Sequence, residues 1–588
     1  MGFVLASACW AQLTRRVSFG PDGAQGNQSS SGATISPDGR YVAFFSHADN
    51  LVRGDTNDRV DCFVHDRQSG VTERLSLGSG GEQGNKDSYG LFITADGRYA
   101  TFWSTSWTLV PGDTNLRGDV FVRDRMTGTT TRASIASDGT QGNGSSQIGA
   151  TSSDGRYVVF GSDATNLVPG DTNGMTDVFL HDRSTGATTR LSLASNGAQS
   201  NAYCHFIGSI SPDARFVVFY GAATSLVPGD TNGFGDVFVH DRSSGETTRV
   251  SLSDGEDQGN EQSWAGCISD DGRYVGFGSR ASNLVPGDTN GVNDAFVRDR
   301  LLGTTVRVSV GPGGVQANDQ SEHALISADG RYAVFGSWAT NLAPGDTNGF
   351  DNVFLRDLHG GTTSLVTIAT DGGPGNGWSS SFAMVSADGR CVAFQSSATN
   401  LVPEGANGAN QIYVRDRRAS GFTSLCDPGA EGVIVCPCSN PPSGRGRGCD
   451  NAAASGGAVL SASGIAYLGS DELVFATRDE NPGAVSLLLQ GNGSVAGGVA
   501  FGRGVRCVGG TILRRLFTSV ASNGSITVPD LAGGDPTVSQ RSAALGDIIE
   551  PGESRWYAVY YRDPGLTPGC PATSTFNTTQ TGRIDWSL

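Results

Sequence analysis

The chain has 588 residues, a net charge of −17, a pI near 4.8 and Gly at 85 positions. That acidity excludes binding to nucleic acid or an anionic membrane through a general positive field. No run approaches the ~20 apolar residues of a transmembrane helix, and the length calls for more than one domain.

Residues 1–12 (MGFVLASACWAQ) read as a signal-peptide remnant or a tail: a short apolar run and small residues, without a basic leader. The expected destination is extracellular or periplasmic. From residue 13 to 421 a unit of about 58 residues recurs seven times. Its phase is set by the first Asp of a GDTN element, at Asp55, Asp113, Asp171, Asp230, Asp288 and Asp346, with Gly405 in that place in the seventh copy.

Each copy holds four strand candidates bounded by turn residues. In the third copy they are Ile148–Ser152, Tyr157–Ser162, Val178–Asp182 and Thr188–Leu193. Ser153-Asp154-Gly155-Arg156 and Arg183-Ser184-Thr185-Gly186 form two of the turns. The run Tyr-Val-Val-Phe is apolar without alternation, so both faces of that strand are covered, as in stacked blades. The predicted fold is all-β: a seven-bladed β-propeller followed by a small disulfide-containing β-sandwich. A linear solenoid is the weaker alternative, because its coils are usually much shorter. The segment Leu13–Phe19 (LTRRVSF) matches the outer strand but precedes the first inner one. It is therefore expected to complete the last blade, in competition with Phe422–Leu425.

The turn motif S-x-DGR-Y-x-x-F followed by V-x-x-RDR-x-x-G resembles the TolB-like, or PD40, family of WD40-like propeller repeats. It is carried by Ser36-Pro37-Asp38-Gly39-Arg40, Ser152-Ser153-Asp154-Gly155-Arg156, Ser211-Pro212-Asp213 and Ser327-Ala328-Asp329-Gly330-Arg331. The resemblance covers about 410 residues and implies a propeller that serves as an interaction scaffold. TolB itself has six blades and a different accessory domain, so no role in its system is carried over.

In a ring of this connectivity the GDTNGxxD and DGxQGN loops share one face, and the DGR and RDRxxG turns share the other. GDTNGxxD sets oxygen-bearing residues at alternate positions of a Gly-containing loop, a way of wrapping Ca²⁺. The candidate ligands are Asp55, Asn57, Asp61, Asp113, Asn115, Asp119, Asp171, Asn173, Asp177, Asp230, Asn232, Asp236, Asp288, Asn290, Asp294, Asp346 and Asn348. Turn capping by the same Asp and Asn side chains is the alternative. The sixth copy has Asn352 at the last position, so any sites are unequal.

A partner site should break the repeat. Four residues after the Asn of each QGN element stand Ser31, Tyr89, Gln147, His205, Trp264, Glu322 and Ser380. Of these, Tyr89, Gln147, His205, Trp264 and Glu322 form a candidate ligand-binding ring. The repeated Gln and Asn read as loop clamps. His65, His181 and His240 replace the first Arg of RDR, at a position read as solvent-facing. No catalytic constellation stands out.

Residues 422–588 contain Cys426, Cys436, Cys438, Cys449, Cys507 and Cys570, read as disulfides of an exported domain, with zinc as an alternative for the CPC cluster. Strand candidates are Ala458–Ala462, Glu472–Ala476, Ser486–Gln490, Ile512–Ser519, Ser525–Val528 and Trp556–Tyr561. The expectation is a monomeric exported scaffold that binds a protein or carbohydrate partner on the GDTN face, with calcium as a stabilising ion. An extracellular hydrolase or lyase acting on polysaccharide is the runner-up.

Overall fold

The computed structural model describes residues 13–586, apart from 207–208, 344–345, 347, 370–372, 380–381, 403, 418–422, 427, 429–434, 437–440, 444–446, 452–453, 456, 464–470, 472, 502–503, 532, 551–552, 564–575 and 580. The chain divides into two compact units, one spanning Thr14–Asp416 and one containing Arg417–Leu588.

The first unit is a seven-bladed β-propeller. Its described residues form seven four-stranded sheets, and six of these string four consecutive strands together. In the third blade the strands are Ser146–Thr151, Tyr157–Ser162, Asp177–Asp182 and Ala187–Arg190. The outer strand ends three residues before the predicted Leu193. Its last hydrogen bonds pass instead to the GDTN-face loop, where Leu193 bridges Gln199. In blades four, six and seven the inner ladder contracts to Cys204–His205, Leu325–Ile326 and Met384–Val385. Blades four and seven carry one extra residue before the DGR-type turn, which pushes the inner segment out of register.

The seventh sheet joins Met384–Val385, Cys391–Ser396 and Gln411–Asp416 to Leu13–Arg16 from the start of the chain. Val17 N–H donates to Ile412 C=O at 2.8 Å, and Arg415 Nη1 donates to Thr14 Oγ1 at 2.8 Å. The rival strand, Thr423–Cys426, pairs with Thr581–Asp585 in the second unit. It is thereby withdrawn from the ring.

The repeated Phe residues form the blade cores. In every blade the Phe of the second strand stacks on the Phe or Tyr of the third, from Phe44–Phe63 at 5.9 Å to Phe394–Tyr413 at 5.8 Å. Fully burying each such ring stabilises by roughly 1.5–3 kcal/mol. On the DGR face, the Arg of the DGR turn forks onto the Asp of RDR in the same blade, as Arg156 does onto Asp182 at 2.9 and 2.7 Å. The second Arg of RDR reaches back to the previous blade: Arg183 lies over the Tyr99 ring, with Arg98 on the same ring. Gly155, at φ +71°, packs onto Tyr99, and a Cβ there would sit 2.1 Å from the ring. Tyr-x-x-Phe and DGR therefore recur for one reason, the stacking of neighbouring blades.

The second unit is a β-sandwich of a six-stranded and a three-stranded sheet. Its core mixes Leu460 and Phe475 of the small sheet with Leu488, Tyr557, Val559 and Ile584 of the large one. The large sheet contains a hairpin of Val485–Phe501 and Gly504–Val520, much longer than the strands predicted there. A short helix, Val538–Ala544, absent from the sequence reading, is started by a capping box of Thr537 and Gln540. Cys436 and Cys449 are bonded to each other, and Cys507 is disulfide-bonded as well. Cys438 and Cys570 lie outside the described residues, as does the side chain of Cys426. Cys62, Cys204, Cys267 and Cys391 of the propeller are free and buried.

Candidate functional site at the mouth of the ring

On the GDTN face the loops are tied together by an internal cation. In blades one to five the Arg that ends the outer strand points back between the two Asp side chains of its own blade. Arg74 Nη1 lies 2.9 Å from Asp55 and 3.1 Å from Asp61, and Arg190 Nη1 lies 3.1 Å from Asp171 and 3.3 Å from Asp177. Arg132 serves Asp113 and Asp119, Arg249 serves Asp230 and Asp236, and Arg307 serves Asp288 and Asp294 in the same way. All these side chains are buried. Burial is the largest influence on Asp55, Asp113, Asp171, Asp230 and Asp288, and it pushes their carboxyls above the usual range.

The Asn of each loop turns its amide nitrogen toward the last Asp. Asn57, Asn115, Asn173, Asn232 and Asn290 donate to Asp61, Asp119, Asp177, Asp236 and Asp294. The Gln of QGN completes the clamp: Gln199 Oε1 accepts from Arg190, and its amide donates to Thr172. The position between the carboxylates is thus taken by a guanidinium, and a calcium ion would have to displace it. Among the described residues, no group of three or more His, Cys, Asp or Glu is arranged to hold a metal.

Blade six departs from this scheme. Leu365 replaces the Arg and Asn352 replaces the second Asp, so Asp346 is buried with no cation beside it among the described residues and accepts from Asn352 Nδ2 at 3.0 Å. Burial pushes the Asp346 carboxyl up to about 6. Asn348 donates to Asn352 Oδ1 and to Gly375 C=O.

The five repeat-breaking residues enter the inner strands beside the central opening. Tyr89 meets Phe45 of the first blade edge-to-face (5.4 Å) and lies tilted against Trp103 across its own sheet (5.1 Å). His205 lies between Tyr203 and Tyr220, at 5.0 and 5.5 Å. Trp264 pairs across the sheet with Gly278, where a Cβ would meet the indole at 2.7 Å. Gln147 is exposed opposite Gly161, and Glu322 is half-buried opposite Gly336. Ser380 lies outside the described residues.

A β-bulge or register shift follows this position in blades one, two, three and five, at Ser31/Thr34, Tyr89/Leu91, Gln147/Gly149 and Ala265/Cys267. Bulges re-aim side chains and cluster beside functional sites. Gly32 and Gly90, both at positive φ, lie against Phe45 and Trp103, so no side chain separates ring from backbone. Deeper, toward the DGR face, the channel is a cavity of about 190 Å³ lined mainly by apolar and small residues, among them Ile93, Thr151, Ile268, Ile326 and Val385, with Asp270 at its wall.

His65, His181 and His240 are not solvent-facing. They are 3%, 4% and 7% exposed, and each Nδ1 bonds the hydroxyl of Thr72, Thr188 or Thr247. Both faces of the third strand are covered by adjacent blades, so a polar residue there must find a partner inside. In blades two and five, Arg123 and Arg298 make the equivalent bond to Thr130 and Thr305. Burial pushes the His65 imidazole down to about 4 and lowers His181 and His240.

Sequence reasoning missed a cluster at the seam of blades six and seven. Asp351 is 5% exposed and its Oδ1 has no hydrogen-bond partner. Burial and the nearby Glu322 push it up to about 8, against a hydrogen bond from the Ser337 backbone to the carboxyl. Ser379 N–H donates to its C=O, and its neighbour Phe350 contacts the exposed Trp378 at 5.9 Å. His323, 6% exposed, packs against Phe382. Asp351 lies outside the motif's ligand positions, so the repeat alone did not flag it.

Among solved structures, the chain is similar to TolB from Agrobacterium tumefaciens at 16% identity and a TM-score of 0.31, over 59% of this chain and 93% of that one. It is also similar to an acylaminoacyl peptidase from Pyrococcus horikoshii (11%, TM-score 0.40, 66% of this chain and 51% of that one). A prolyl endopeptidase matches at 10% and 0.41, over 77% of this chain and 55% of that one. The chain spans about half the length of these two peptidases. No protein-family model matches the sequence, and no curated protein does.

Proposed function

We propose that this protein is an exported binding scaffold that holds a glycan across the mouth of its ring on the GDTN face. The observation that carries the reading is the set of inner-strand positions where the repeat is broken. There, aromatic rings (Tyr89 with Phe45 and Trp103, His205 with Tyr203 and Tyr220, and Trp264) share the rim with the polar Gln147 and Glu322. Sugar rings pair apolar faces with equatorial hydroxyls, and a rim of aromatic faces and hydrogen-bonding groups matches both. The disulfide-bonded cysteines of the second unit support an oxidising destination.

The test is a glycan array probed with the whole protein and with Tyr89→Ala and Trp264→Ala variants. Binding that falls at least tenfold in both variants, with unchanged melting curves, supports the reading. Binding only to proteins of the envelope, indifferent to both substitutions, refutes it. Release of new reducing ends from a bound glycan would make the protein a polysaccharide hydrolase.

A further inference from the structure

The repeats supply their own control for Asp351. The residue just before the third strand and the residue just after the second strand face each other within a blade. In blade three they are Thr176 and Asp163, bonded at 2.6 Å, and in blade five Asn293 and Arg280, bonded at 2.8 Å. In blade six the same two positions are Asp351 and Trp338. The charged or polar partner has become an indole, and Oδ1 of Asp351 has no partner. Elsewhere the first of these positions is Val60, Gly118, Gly235 or Asn410, so a carboxyl there is particular to blade six.

No ion pair to Asp351, Glu322 or Asp346 occurs among the described residues. In blades one to five, by contrast, every GDTN-loop carboxylate pair holds a guanidinium. A buried carboxyl with an unfilled acceptor costs ~1–3 kcal/mol or more until a donor arrives. A cation is the donor that suits the pair, because its arrival lets both Asp351 and Glu322 ionise. Burial alone raises the Glu322 carboxyl, and Asp351 is raised with it, which keeps the empty site from carrying two full charges. The neighbouring wall is aromatic and open: Trp378 is 55% exposed and edge-on to Phe350, beside the backbone of Asp351. Carboxyls beside an aromatic face suit a protonated amine on a compact apolar frame.

We infer that the seam between blades six and seven is a subsite for an amino sugar, with the sugar's ammonium group bonded to Asp351 and Glu322 and its ring against Trp378. The inference rests on the glycan reading above and names the sugar.

The experiment is calorimetric titration of the whole protein at 0.15 M salt with three trimers: glucosamine, N-acetylglucosamine and glucose. The glucosamine trimer is expected to bind at least tenfold tighter than the other two. Asp351→Asn, nearly isosteric, should bring the three within about twofold of each other. Asp22→Asn, an exposed carboxylate outside the cluster, should leave the preference intact and so exclude general attraction of a polycation to an acidic protein. Trp378→Ala should weaken all three. Equal binding of the three trimers by the native protein overturns the amine and leaves the glycan reading standing. A tenfold preference that survives Asp351→Asn also overturns it. So does binding of none of the three, or of a lysine peptide alone; the array then decides the broader reading.

Discussion

The internal arginine of the GDTN loops sets up a sharp test. In blade three, Arg190 is 9% exposed and lies 3.1 Å from Asp171 and 3.3 Å from Asp177, whose side chains are 2% and 0% exposed. At an effective dielectric near 20, each contact is worth about 5 kcal/mol before desolvation. Arg190→Leu removes both contacts and the bond to Gln199. It leaves two buried carboxylates facing each other, and the expected net loss is about 3–5 kcal/mol. Blade six shows the compensated form, with Leu365 accompanied by Asn352. The double variant Arg190→Leu/Asp177→Asn should therefore recover at least half of the loss. Urea unfolding followed by tryptophan fluorescence measures both. Millimolar calcium should raise the midpoint of the single variant, which has an acidic vacancy, and leave the native protein unmoved. A single variant within about 1 kcal/mol of native, or a double variant no better than the single, would refute this account of the loops.

The buried imidazoles give a pH dependence. The unfolded state takes up protons from about pH 6.5, whereas folded His65 does so only near about 4. The unfolded state therefore holds more protons between these values, and stability falls as pH drops through the window. His65 alone accounts for ~3 kcal/mol, and the loss should shrink in a His65→Gln/His181→Gln/His240→Gln variant; equal slopes would defeat the reasoning. Deleting residues 1–18 should remove the fourth strand of the last blade and the bonds of Thr14, Val17 and Ser18 to Arg415, Ile412 and Gln411. Far greater protease sensitivity of the 14–416 unit is expected, and digestion at the native rate would count against ring closure. Reduction opens Cys436–Cys449, 13 residues apart, together with the bond of Cys507, and should cost the second unit at least about 3 kcal/mol while leaving the propeller's transition in place, as calorimetry with and without reductant can show.

The blades were legible because a strand covered on both faces must be apolar without alternation, and Tyr157–Ser162 is found where that rule places it. The same rule was not carried through to the histidines. On an isolated sheet His181 would face water; between blades it cannot. The arginine between the Asp residues was hidden because Arg190 is 19 positions from Asp171 in sequence and is brought back only by the pairing of Phe179 with Arg190. A signal was nonetheless present: in copy six the Arg and the second Asp change together, to Leu365 and Asn352. The rim residues were found by their variability, whereas Asp351 required knowledge of which positions oppose each other. In the second unit the predicted strand stops at Gln490, yet the observed one runs on through the Gly-rich stretch from Gly491 to Gly498.

The closing strand also orders events in time. Leu13–Arg16 is made first, yet its partner Gln411–Asp416 lies about 400 residues later in the chain. At ~5–20 residues per second, the ribosome needs roughly 20–80 s to supply it. Until then the last sheet lacks its outermost strand, and the ring cannot be sealed. A contact this distant in sequence makes for slow folding.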